Sequence, residues 1–260
     1  MCTFLTAIVV RNDSGFFDVH TKPEHTDSHE DLIDLLDIDD TSELGRRKFC
    51  RVEFISSDGN YANADSYELI IDDPTPPDWF DYDAKKHVKS KLHDIIKQMI
   101  VTRDRKILLG GCWIITDNAI IKKAINARII SLGKSTVLAC GNSTVLAHGN
   151  STVTASRKSN VLACGNSTVI AHSNSTVIAH DKSTVTVYGN STATACGKST
   201  VTAHGNSTVI AYNKSTVTAH GKSNVTACDN STVTACDKST VTALGNSTVH
   251  DHRKGKSSDD

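Results

Sequence analysis

From Gly133 to His252 apolar and polar positions recur with a fixed spacing of eight residues, in the form Gly-Asn/Lys-Ser-Thr-Val-x-Ala-x, fifteen times without insertion or deletion. Within a unit such as Gly205-Asn206-Ser207-Thr208-Val209-Ile210-Ala211-Tyr212, strand alternation sends Ser207, Val209 and Ala211 to one side and Thr208, Ile210 and Tyr212 to the other. Position five is Val in fourteen units, with Ala193 the exception, and position seven is nearly always Ala, whereas position six varies among Leu, Ile, Thr and His. The uniform side is the inside. A period of eight is too short for a helix pair or a propeller blade, so each unit is one strand and one turn stacked on its copies. Three small inward residues fill only a thin core. That predicts a β-solenoid with two facing strands, about 16 residues, in each coil, and roughly eight to nine coils spanning about 40 Å at ~4.8 Å per rung.

Gly or Asp at position one, followed by Asn or Lys, supplies the turn, because Gly takes positive φ at little cost and Asn tolerates it. Upstream the same register continues in weaker form. Ile129 falls at the Val position within 126–132, Ile121 within Asp117-Asn118-Ala119-Ile120-Ile121, and Trp113 within Gly110-Gly111-Cys112-Trp113-Ile114-Ile115. These read as degenerate capping coils over 105–132, ahead of regular octads over 133–252 and a charged tail over 253–260.

Ahead of the solenoid, residues 1–104 lack the octad and read as a small α/β (α+β) domain. Phe4 to Val10 and Gly15 to His20 predict a hairpin across Asn12-Asp13-Ser14. Ser28 with Asp31 resembles a capping box for a helix through Leu36. Phe49 to Ile55 and Tyr67 to Ile71 are strand candidates. After Pro74-Thr75-Pro76-Pro77 a helix is expected from near Asp83, with Val88, Leu92, Ile95, Ile96 and Met99 on one stripe. That stripe is suited either to the small sheet or to covering an exposed solenoid end, which would otherwise invite end-to-end stacking.

The overall charge of −1 conceals a division. Residues 1–104 carry 22 acidic and 12 basic side chains, whereas residues 105–260 carry 7 and 16. Eleven of the thirteen aromatic residues lie at or before Trp113, so only the first segment has the means for an ordinary globular core. No stretch reaches membrane-spanning length, and Met1 to Val10 lacks the features of a signal peptide, which makes the cytoplasm the expected location. Five of the eight cysteines, Cys140, Cys164, Cys196, Cys228 and Cys236, share octad position eight with His and Tyr and read as free thiols.

Several patterns imitate chemistry. Gly133-Lys134-Ser135-Thr136 and Gly197-Lys198-Ser199-Thr200 end like a phosphate-binding loop, but Arg128 and Thr192 stand where that loop needs its first Gly. Glu24, His25, Asp27, His29, Glu30 and Asp31 crowd metal-capable groups into eight residues, yet a helix beginning after Ser28 separates His25 from His29, and acidic residues suit a helix start. Asp78, Asp81 and Asp83 around Trp79-Phe80 fit a helix amino terminus as well as a carboxylate pair. On the solenoid, opposite sheets would stack His148, Cys164, His180 and Cys196 in one column and His204, His220, Cys236 and His252 in another, as candidates for a soft divalent metal. No Ser or Cys nucleophile sits in a recognisable elbow. The expectation is a non-enzymatic chain without a cofactor.

One sheet would also carry Thr184/Thr186, Thr200/Thr202, Thr216/Thr218 and Thr232/Thr234 as four ranks of outward Thr-x-Thr. In this the repeats resemble those of bacterial ice-nucleation proteins, whose octads within sixteen-residue coils carry Ser-Thr-x-Thr-Ala; the resemblance implies an ice-ordering face. Leu138, Leu146, Leu162, Ile170, Ile178 and Ile210 depart from that pattern at position six. The run from Glu24 to Ile33, Pro77-Asp78-Trp79-Phe80-Asp81, Leu109-Gly110-Gly111-Cys112-Trp113-Ile114 and the Ser-Thr-Val octads together resemble a family of uncharacterised bacterial and phage proteins. That resemblance implies the fold and a prokaryotic or viral setting, with no activity.

The expected role is therefore an interaction or scaffold protein: a rigid solenoid whose amino-terminal domain caps it or binds an unidentified protein partner. Glu24, His25, Asp27, His29, Asp31, Trp79 and Phe80 form the candidate partner surface. The opposite charges of the two halves permit head-to-tail self-association, and the acidic half would suit a phage-type inhibitor that mimics DNA toward a host protein. Nucleic-acid binding is disfavoured, because Lys134, Lys158, Lys182, Lys198, Lys214, Lys222 and Lys238 divide between two sheets.

Overall fold

The computed structural model describes residues 4–12, 14–22 and 28–253. The chain separates into two compact units, 1–100 and 101–260.

In the first unit, β1 (Phe4–Arg11) and β2 (Phe17–His20) form the predicted hairpin, with Arg11 opposite Phe17. Asn12 shapes the turn by accepting the Ser14 and Phe16 N–H groups on its side-chain oxygen. Ser28 caps α1 (His29–Leu35) by accepting the Asp31 N–H. A single turn, α2 (Glu43–Arg46), then leads into β3 (Phe49–Ser56); its pattern is too short to register as a period. With β4 (Tyr67–Ile71) these strands make an antiparallel sheet of order β2-β1-β3-β4. The long helix α3 (Tyr82–Met99) is capped by Asp81, which accepts the Ala84 N–H.

Alternation along β1 and β3 divides the core. Leu5, Ala7 and Val9 join Cys50, Val52 and Phe54 under Ala84, Val88, Leu92 and Ile96 of α3. On the opposite sheet face Ile8 and Phe49 pack against Leu32 and Ile33 of α1. The apolar stripe of α3 is thus buried on the small sheet, which settles where it packs.

The second unit is a β-solenoid of two parallel sheets, each of ten strands. One sheet runs from Leu108–Leu109 and Ile120–Ile125 through Thr136–Cys140 to Thr248–Asp251; its outer face is rich in threonine. The other runs from Ile100–Val101, Cys112–Ile115 and Arg128–Ser131 to Thr240–Ala243 and carries more aliphatic residues outside. Ten rungs replace the expected eight to nine, because the strands at Ile100 and Leu108 are too short to show a repeat. Paired residues lie sixteen apart throughout the regular octads, for instance Val185 with Val201 and Val201 with Val217. The inward Val, Ala and Ser columns are almost completely buried from Ser135 to Ala235. Each buried Val contributes about 1.5–3 kcal/mol, so stability accumulates in small equal steps along the stack.

All fifteen position-one residues have positive φ, including Arg157 at 65°, Ser173 at 67° and Asp181 at 57°. Three of the exceptions to glycine offset that strain with a hydrogen bond to the preceding rung. Asp181, Asp229 and Asp237 accept the N–H groups of Gly165, Asn213 and Gly221 at 2.9, 3.1 and 3.0 Å. Elsewhere glycine also allows close stacking: a Cβ on Gly205 would stand 3.2 Å from the Gly189 nitrogen.

One early coil departs from the octad. Strict register would turn Lys123 inward at position seven. Instead a β-bulge between Ile121 and Ala124 leaves Lys122 and Lys123 exposed and puts Ala124 in the buried slot opposite Ala139. At the far end, Asp251 occupies the inward position that Ala holds elsewhere and is paired with Arg253, which also donates to the Ser239 carbonyl. The side-chain and backbone hydrogen bonds from Arg253 hold the Asp251 carboxyl down at about 2. A charge in that slot disfavours addition of another rung.

Candidate functional site

Constant register turns each outward octad position into a straight column. On the threonine sheet Thr184, Thr200, Thr216 and Thr232 stand on successive rungs, and Thr186, Thr202, Thr218 and Thr234 stand beside them two residues along. The ranks are about 4.8 Å apart and the two threonines of a rank roughly 7 Å apart. Thr184, Thr200 and Thr216 are exposed; the other five are half-buried by their neighbours. Towards the amino terminus Leu138 and Ile170 interrupt the position-six column, and His250 ends it. At position six the opposite sheet carries Ile130, Leu146, Leu162 and Ile178 in sequence, Leu146 being buried, followed by Thr194, Ile210 and Thr226.

Position eight forms two further columns at the edges. His148, Cys164, His180 and Cys196 fall on consecutive rungs of the aliphatic sheet. On the threonine sheet the column contains a stacked ladder: His172 on Tyr188 at 5.0 Å, Tyr188 on His204 at 4.9 Å and His204 on His220 at 5.0 Å, all within 10° of parallel. Cys236 and His252 follow on the next rungs. Parallel rings 5.0 Å apart do not converge their nitrogens on one ion, since zinc–imidazole bonds of about 2.0–2.1 Å span no more than about 4.2 Å. Burial, and then the neighbouring His220, lower the pKa of His204, with Asp237 opposing. His220 itself lies 3.6 Å from the Asp237 carboxylate.

The turn lysines divide as expected. Lys182, Lys198 and Lys214 nevertheless occupy three consecutive rungs before the threonine-sheet strands, all exposed.

In the first unit the candidate partner surface is dispersed. Glu24, His25 and Asp27 lie outside the described residues. Asp31 is exposed in the first turn of α1. Phe80 is a core residue at 4% exposure, and Trp79 stacks on Phe17 and donates its indole N–H to the Arg47 carbonyl at 2.7 Å. Both aromatic rings therefore hold the domain together, which removes Phe80 from any outer surface. Asp81 is committed to capping α3.

His29 has a different setting. Its Nε2 lies 3.0 Å from the Val52 carbonyl and its Nδ1 3.2 Å from the Asp72 carboxylate, with the side chain 10% exposed. Glu53, next to Val52 on β3, completes a group whose ligand atoms all lie within 4.8 Å of one another. Among the described residues no other set of three His, Cys, Asp or Glu side chains meets that distance. Burial, reinforced by Asp72, raises the pKa of Glu53, while His29 lowers it. Only His29 was visible as a candidate from the sequence. Glu53 and Asp72 carry no local motif and arrive through sheet register.

Among the described residues no helix is long and apolar enough to cross a membrane. Among the described residues seven cysteines are free thiols, with Cys50 buried and its pKa pushed up to about 12 by desolvation. Comparison with known proteins finds no matching family model, no matching curated protein and no matching solved structure, so neither family that the sequence resembles is named by it.

Proposed function

We propose that the chain is a non-enzymatic interaction or scaffold protein of the cytoplasm, in which the solenoid supplies a long preformed face and the amino-terminal unit engages a protein partner. The observation that carries this reading is the unbroken sixteen-residue register from Thr136 to Asp251, which holds outward side chains in straight columns. A surface ordered before binding loses little conformational entropy when it binds. The test is affinity capture from host and phage-infected lysates, using the full chain beside residues 101–260 after confirming that the latter folds. Support is a stoichiometric partner retained by the full chain and lost by 101–260. A folded full-length bait that captures nothing contradicts the reading. A partner that mimicry of DNA would explain must also be displaced by duplex DNA.

A second reading, binding of ice or ordered water, is favoured by the four Thr-x-Thr ranks and their common register. Thermal hysteresis or a raised freezing temperature that Thr202→Lys with Thr218→Lys abolishes would support it. An effect left intact by that pair excludes the threonine face.

A further inference from the structure

We propose that His29, Glu53 and Asp72 form a binding site for a first-row divalent cation such as Zn²⁺ in the amino-terminal unit. The three residues come from the first position of α1, from the α1-facing side of β3 and from the residue following β4, so the fold brings them together. Their ligand atoms lie within 4.8 Å of one another. Zinc–nitrogen and zinc–carboxylate bonds are about 2.0–2.2 Å, so a small inward movement of the longest pair lets all three groups reach one ion, whose fourth position is left to water.

The imidazole is already oriented for ligation. A carbonyl oxygen only accepts, so the 3.0 Å contact with Val52 requires the proton on Nε2. That leaves Nδ1 as the nitrogen aimed at the carboxylates, 3.2 Å from Asp72 Oδ2. Metal-ligating histidines recurrently donate their other N–H to a backbone carbonyl, which fixes the ring and its tautomer. The ring is buried except for 10% of its surface, so its direction is set by packing as well as by this bond.

The charge of the cluster points the same way. Two carboxylates share one imidazole, and Glu53 is half-buried. A divalent cation neutralises both carboxylates, whereas an imidazolium supplies one positive charge. One nitrogen and two oxygens match a borderline cation better than a soft one. The thiol and imidazole columns of the solenoid are a separate donor set, and the test must distinguish the two.

The measurement is a Zn²⁺ titration of the full chain with ¹⁵N-histidine labelling, the His29 signals being assigned through His29→Gln. One equivalent should move the His29 Nδ1 resonance while the Nε2–H signal persists. Glu53→Gln and Asp72→Asn preserve side-chain shape, and each should weaken the response of His29 at least about tenfold, with an unchanged circular dichroism spectrum. His29 signals that stay fixed while zinc binds elsewhere overturn the site. Wild-type affinity at His29 in both variants overturns it equally, leaving the cluster as a protonated His29 paired with Asp72.

Discussion

The two units bury apolar surface by opposite means. In residues 1–100 a few large side chains, Phe49, Phe54, Leu32, Leu92 and Ile96, come from strands and helices far apart in sequence. In residues 101–260 the core is Val, Ala and Ser repeated at each regular rung, after first rungs that bury Leu108, Ile115, Ile121 and Ile129, with no described aromatic side chain fully inside. Each globular core residue is unique, so its loss affects a whole domain. A solenoid residue is one copy among many and its effect is spread over neighbouring rungs. The lesson is that a periodic core specifies its fold redundantly, whereas the smaller domain depends on individual long-range contacts.

Substitutions that shrink a core side chain test this difference most strongly. Phe54→Ala, removing a fully buried ring, should destabilise the first unit by about 3–5 kcal/mol. Val201→Ala should cost only about 1–2 kcal/mol, since Ala193 already occupies the equivalent slot. Trp79 and Trp113, one in each unit, report the two losses separately in denaturant titrations of single-tryptophan variants. Equal losses would abolish the distinction between unique and repeated core residues.

Backbone substitutions come next. Gly205→Ala places a side chain at φ 71° and presses its Cβ on the Gly189 backbone, and should cost about 1–2 kcal/mol. Arg157→Gly should run in the opposite direction, gaining about 1 kcal/mol by relieving a positive φ. A denaturant midpoint shift of the same sign for both would show that the turn does not require position one to be left-handed.

Acid should weaken the solenoid through the stacked ladder. His204 has a folded pKa below its ordinary value of 6.5, chiefly through burial and then through His220. The unfolded chain therefore binds the proton more readily, and this contribution to stability is lost as pH falls through 6.5 towards the folded value. Melting temperatures measured between pH 7.5 and 5 should fall less steeply in His204→Gln. The smallest effect concerns thiols: Cys50, buried and with its pKa at about 12, should be alkylated later than the partly exposed Cys164. Mass-spectrometric labelling rates check that order, and earlier labelling of Cys50 would contradict its burial.

What was legible follows from the same contrast. Fifteen copies of one alternation reveal which side faces inward, so the sheets, the threonine ranks and the edge columns are visible in the residues alone. The strands at Ile100 and Leu108 are not, since two residues carry no period. Nor is the bulge at Lys122 and Lys123, which arises because the strict register would bury a charge. In the first unit, local patterns expose the hairpin, Ser28 and α3, but Trp79 and Phe80 read as surface because nothing nearby shows that Phe17 and α3 pack over them. The His29, Glu53 and Asp72 group depends on strand pairing and on where α1 docks. No spacing in the chain encodes that meeting.

Both functional readings need the outward columns to be ordered before anything binds. Amide hydrogen exchange of the free full-length chain tests that requirement most directly. The account predicts that strand amides from Thr136 to Ala235 are protected together as one block, while Thr240 to Asp251, where Val241 and Val249 are only partly buried, exchange first. Early exchange throughout the octads, or fraying that reaches the ranks at Thr184 and Thr200, would contradict a preformed face.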